Sequence, residues 1–165
     1  MKRLFGLILT SLLVVGILQA KEGFGDGFGL GVMVGEPTGI SLKKWLGDGQ
    51  AIDAAGAWSF SEEDSFHLHA DYLKHNFSLF KPQGLKGQLP LYFGIGGRIS
   101  KRDGHHRHSH DDADTEIGVR IPLGITYLFE EAPIDLFAEI VPSLGLLPDT
   151  DFDLDLALGA RFYFW

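Results

Sequence analysis

The chain has 165 residues, a net charge of −8 and no cysteine. A chain of this length holds one domain. Its acidic balance excludes a general nucleic-acid binder, whose affinity comes from neutralising phosphates, and the missing thiols exclude a disulfide scaffold and a cysteine-anchored lipoprotein.

From the amino end, Lys2 and Arg3 precede an uncharged apolar run from Leu4 to Leu18, and Ala20 is a small residue suited to cleavage. The run is shorter than the ~20 residues of a spanning helix, so residues 1–20 read as a secretory signal. Removing it leaves residues 21–165 as the mature domain and, with Lys2 and Arg3 gone, a charge near −10. No mature segment has an apolar run long enough for a spanning helix. Any bilayer crossing must therefore be made by strands.

The mature sequence falls into segments of about ten residues with alternating character, separated by Gly, Pro, Asp and Ser clusters. The pattern predicts strands over 24–34, 38–46, 51–60, 66–77, 89–100, 116–129, 134–146 and 152–164. Each is close to the ~9–11 residues of a tilted membrane strand. With the amino end periplasmic, the turns on that side are 47–50, 78–88 and 130–133. The opposite loops are 36–37, 61–65, 101–115 and 148–151.

Sorting by parity gives two unlike faces. One carries Phe28, Leu30, Val32, Ile52, Trp58, Phe60, Phe66, Leu68, Leu91, Phe93, Ile95, Ile117, Val119, Ile121, Leu123, Ile125, Leu136, Ile140, Leu156, Leu158, Phe162 and Phe164. The other carries Asp53, His67, His69, Asp71, Arg98, Arg120, Glu139, Asp153, Asp155 and Arg161, with Lys43 and many glycines, among them Gly29, Gly31, Gly94, Gly96, Gly118, Gly124 and Gly159. Glycine weakens a strand that faces water, whereas the crowded interior of a narrow barrel needs small residues beside long charged ones. The polar face is therefore expected inside and the bulky face in lipid. Aromatics at both strand ends fit the interfacial girdles of membrane barrels. Reversing the faces would give an exported soluble barrel carrying an apolar ligand.

On these residues the chain resembles the small bacterial outer-membrane barrels of the OmpX and OmpA-transmembrane-domain type. The likeness is carried by the signal Met1–Ala20, eight alternating strands, the Gly-rich opening from Gly23 to Gly35 and the aromatic ending. The phrase Pro37-Thr38-Gly39-Ile40-Ser41 with Trp45, and the run from Gly159 to Phe164, also look like a family of uncharacterised small barrels. The resemblance implies an all-β, eight-stranded antiparallel up-and-down transmembrane barrel, monomeric in outer-membrane lipid and assembled with periplasmic chaperones and the barrel-insertion machinery.

The inward charges are expected to form a mutually satisfied network that plugs the barrel, since an unpaired buried charge is costly. That makes the protein a non-enzymatic envelope barrel whose outer loops contact external partners, with no catalytic residues and no cofactor. A competing reading uses His67, His69 and Asp71 as the centre of a lipid deacylase or acyltransferase, with Ser59 on the adjacent strand as a conceivable nucleophile. The loop from Lys101 to Asp114 holds His105, His106, His108 and His110 among acids. Imidazole with carboxylate suits Zn, Cu or Ni. Without defined ligand spacing, this loop reads first as a solvated surface loop, second as a weak divalent-metal site, and third as a pH-responsive surface.

Overall fold

Residues that alternate between apolar and polar make strands with two unlike faces. In the computed structural model, which describes residues 27–36, 38–59, 65–80, 84, 86–102 and 114–164, nearly every such segment is a strand. They are β1 (Phe28–Glu36), β2 (Thr38–Gly47), β3 (Gln50–Ser59), β4 (Ser65–Asn76), β5 (Gly87–Gln88), β6 (Leu91–Arg102), β7 (Asp114–Arg120), β8 (Leu123–Phe129), β9 (Ile134–Leu147) and β10 (Phe152–Phe164). Residues 1–20, expected to be a signal, Phe60 and the His-rich tract 103–113 lie outside the described residues. Among the described residues, no helix is long and apolar enough to cross a membrane.

All pairings are antiparallel, and each long strand is bonded along both edges. β1 pairs with β10 and β2, and β3 joins β2 to β4. β6 lies beside β4 and against both β7 and β8, which in turn pair with β9. β9 then pairs with β10.

The strand count is ten, not the eight expected. Two local causes account for the difference. The segment predicted as 116–129 is divided between β7 and β8 at Ile121-Pro122, because proline has no N–H to give the ladder. Backbone bonds still cross the break, from Gly94 N to the Pro122 carbonyl (2.9 Å) and from Ile121 N to the Pro142 carbonyl (3.0 Å). The second addition is β5, a two-residue strand within the stretch predicted as a turn, which pairs with Leu128 and Phe129 beyond the end of β6. The Tyr127 hydroxyl donates to the Lys86 carbonyl just before it. Between β2 and β3 the connection is Asp48-Gly49, with φ of 51° and 72°. Positive φ at both central residues is the type I′ hairpin that this dipeptide favours.

Burial is inverted relative to a water-soluble domain. Val32, Val34, Ile95 and Leu158 are among the most exposed large apolar side chains, whereas Lys43, Arg120 and Arg161 are almost completely buried. The buried face is not polar throughout, which corrects the sequence expectation. At the end bearing the 47–50 hairpin, Trp45, Ala51, Leu73, Tyr92, Leu128 and Tyr163 form a buried cluster. Deeper in, Met33, Ala55, Phe137 and Ala157 form a second one. These residues have inward parity, and their bulk fills space that charged side chains could not occupy without further partners.

The inward glycines accommodate these rings. Tyr163 pairs directly across from Gly29, Phe137 from Gly159 and Tyr92 from Gly124. A Cβ at any of these glycines would run into the paired ring. Gly159→Val is expected to destabilise the fold by about 1–3 kcal/mol through overpacking, read as an earlier urea midpoint in detergent. Gly97→Ala, on the exposed face with no atom closer than 3.8 Å to its added Cβ, is expected to leave the midpoint unchanged.

Candidate functional site: the charged interior

Inward parity brings charges from six strands into contact across the enclosed face. Arg161 on β10 is the most heavily partnered. Its guanidinium donates to Asp53 Oδ2 on β3, to Asp135 Oδ2 on β9 at 3.5 Å and to Ser41 Oγ on β2 at 2.8 Å. Its guanidinium carbon lies 3.8 Å from the centre of the Phe137 ring. Asp135 also accepts from the Tyr163 hydroxyl at 2.7 Å. One buried cation thus ties β10 to β2, β3 and β9.

Arg120 repeats the arrangement one step along. It lies 3.1 Å from Asp71 Oδ2 on β4 and 3.6 Å from Glu139 Oε1 on β9, and Glu139 accepts from the Tyr92 hydroxyl at 2.8 Å. Asp53 and Asp71 are directly opposite each other on β3 and β4. Facing carboxylates repel, and here each is answered by a different arginine reaching in from elsewhere in the sheet. Nearer the loop that joins β6 to β7, Arg98 donates to Glu116 (2.6 Å) and Asp153 (2.7 Å), with Asp155 at 3.8 Å. Asp153 is half exposed, so this group is wetter than the other two.

Lys43 is the remaining inward cation among the described residues, and it sits at the aromatic end. Its ammonium donates to His75 Nε2 at 2.9 Å, and lies 4.5 Å from the Trp45 ring and 5.4 Å from that of Tyr92. An ammonium has no acceptor, so His75 Nε2 must accept. Nδ1 then carries the proton and donates to the Gly49 carbonyl at 3.1 Å. This fastens the interior to the hairpin turn.

All ten residues expected on the inward face lie there, with His69 buried and His67 partly exposed. Sequence reasoning missed Asp135, Glu116, Tyr92, Tyr163 and the part played by His75, although parity alone would have turned each of them inward. His105, His106, His108 and His110 lie outside the described residues, and among the described residues no cluster of potential ligands could hold a metal. For the hydrolase reading, Ser59 is paired through its backbone with Ser65. The cross-strand neighbour of His67 is Ser100, which sequence reasoning did not consider. Glu116, next along that row, is bonded to Arg98, and Asp71 and Asp53 are engaged by arginines. Among the described residues, the acids on these rows are held in ion pairs.

Truncating one partner of a buried ion pair strands the other. Arg161→Ala, which leaves Asp53 and Asp135 without their cation, is expected to cost about 3–5 kcal/mol, measured by urea unfolding in detergent. Lys86→Ala removes an exposed pair with Glu131 and is expected to cost under about 1 kcal/mol.

Comparison with known proteins agrees with this architecture. The N-terminal β-barrel domain of Pseudomonas aeruginosa OprF superposes with a TM-score of 0.62 at 14% identity, covering 85% of this chain and 98% of that domain. Neisserial surface protein A gives 0.50 at 13% identity, covering 84% and 94%. At such identities the likeness shows the fold alone, an all-β antiparallel up-and-down architecture shared with that β-barrel domain, and it does not single out the OmpX type. No curated protein sequence matches the chain. The family model described as "Protein of unknown function (DUF3996)" matches residues 19–153, most of the length, and the chain therefore belongs to the DUF3996 family.

Proposed function

We propose that the protein is an exported, monomeric, non-enzymatic β-barrel of the outer membrane, with residues 1–20 removed as a signal and both ends of the mature chain periplasmic. The observation that carries this reading is the inverted burial. A wall of exposed Val, Leu, Ile and Phe surrounds buried, paired arginines and carboxylates. Hydrocarbon is the solvent in which such a wall is stable, and a membrane strand must have every backbone group bonded to a neighbour. The double-edged pairing of all long strands supports a closed barrel, in which β7 and β8 act as one stave and β5 as an extension, giving the eight staves of the sequence pattern.

The contents of the barrel support a plug rather than an open pore. Ion pairs cross its middle, and the Trp45, Leu73, Tyr92 and Tyr163 cluster fills the end nearest the termini. Function then rests with the loops at the other end, as contacts to external partners or as a contribution to envelope integrity. Chaperones and the insertion machinery are its partners in biogenesis. The His-rich loop offers a weak divalent-metal site, for which unchanged zinc affinity after deletion of 103–114 would dismiss the loop.

Two measurements test this reading. Membrane fractions run on SDS gels are expected to show a mobility shift on boiling, with a β spectrum in detergent. A protein that washes off the membrane and runs identically either way would reverse the face assignment and make it a soluble carrier. In planar bilayers the native protein is expected to conduct little, and Trp45→Ala with Leu73→Ala to raise the conductance several-fold. An unchanged current in the double variant would show that the seal lies elsewhere.

A further inference from the structure

The outward wall is not uniformly convex. A groove of about 1080 Å³ runs across it, lined almost wholly by apolar atoms. Its course has a simple origin. Val34, Leu158, Ala138, Ile125, Leu91 and Asn76 all line it, and each is the direct cross-strand partner of the next. They form one hydrogen-bonded row across β1, β10, β9, β8, β6 and β4. The methyl group of Ala138 lies mid-row between larger side chains, and Leu156, Ile140, Leu123 and Phe93 in the adjoining outward row stand beside it.

The Asn76 end is closed by a built contact. Asn76 Oδ1 accepts from the backbone N–H of Ser78 (2.9 Å) and of Leu79 (3.2 Å). This turn sets Leu79, otherwise largely exposed, at the foot of the groove. Lys74, one outward position back along β4, pairs across from Phe93 of the adjoining row and donates its ammonium to the Asp48 carbonyl.

We propose that the groove holds one acyl chain of a glycerophospholipid, with the phosphate at the Leu79 end beside Lys74; this rests on the membrane-barrel reading above. Length supports the assignment. Six neighbouring strands at ~4.8 Å spacing make a row of about 24 Å. With strands tilted by ~35–45°, the row rises about 15 Å along the membrane normal, half the ~30 Å hydrocarbon core and thus the depth of one leaflet. Charge supports it too, since Lys74 ends the adjoining row, across from Phe93, and the rest of both rows carries no cation.

The test uses the full mature chain inserted into dioleoyl phosphatidylglycerol vesicles, extracted in mild detergent and weighed by native mass spectrometry. One bound phospholipid is expected. Ala138→Phe, which fills the middle of the row, and Leu79→Ser, which removes the foot without touching a strand, are each expected to lower retention about tenfold, equivalent to withholding roughly two methylene groups from burial. Leu68→Ala, outside the groove, is expected to retain lipid normally. Equal retention in all variants would mean general annular lipid and overturn the proposal. So would a doubled mass without lipid, which would make the groove a contact between two copies. Insertion is checked first by the heat-dependent gel shift. Loss of insertion in the native chain would sink the barrel reading itself, whereas insertion without lipid retention would sink only the groove assignment.

Discussion

Asp53 and Asp71 face each other on neighbouring strands inside the fold, and that placement sets the terms for everything around it. Two carboxylates removed from water need cations, and Lys43, opposite Asp53 on the same rung, turns its ammonium to His75 and the Trp45 and Tyr92 rings instead. Arg161 and Arg120 therefore arrive from β10 and β7, each carrying a second acid with it, Asp135 and Glu139. Each guanidinium bridges strands that are far apart in sequence, so the ion pairs close contacts that backbone pairing alone would leave to register. A one-residue slip in any of these strands would turn its charge into the apolar wall. The charged interior thus fixes register as firmly as an apolar core does in a soluble sheet.

Around this centre the interior is graded along its length. At one end Lys43, His75 and the Gly49 carbonyl join the aromatic cluster to the tight Asp48-Gly49 hairpin. At the other, Arg98 sits among Glu116, Asp153 and Asp155 with more access to water. At the hairpin end the Tyr163 and Tyr92 rings each have a glycine directly opposite, Gly29 and Gly124, which leaves them room beside Lys43. On the outward face, Ala138 leaves a dip where larger neighbours stand proud.

Much of this was legible before any coordinates. Period-two alternation located every long strand to within a few residues, and glycine placement indicated which face is crowded. Parity turned all ten nominated residues inward. What escaped had physical causes. Pro122 broke a continuous alternation that pattern alone reads as one strand, because a missing N–H leaves no trace in side-chain period. β5 forms only by pairing beyond the end of β6, a tertiary event. Pairing partners such as Arg161 with Asp53 or Arg98 with Asp153 depend on strand order and curvature, which parity cannot give. Asp135, Tyr92 and Tyr163 join the site through hydrogen bonds to Arg161, Glu139 and each other that arise only once distant strands are packed.

The claim on which all of this depends is that the exposed apolar wall faces lipid. The chain has no cysteine, so single cysteines along β10, from Leu154 to Leu158, can carry an environment-sensitive fluorophore in vesicles containing a chain-labelled quenching lipid. The expected result is strong quenching at Leu154, Leu156 and Leu158 and weak quenching at Asp155 and Ala157. Quenching that fails to alternate, or that favours Asp155 and Ala157, would contradict the assignment of faces and with it the membrane barrel.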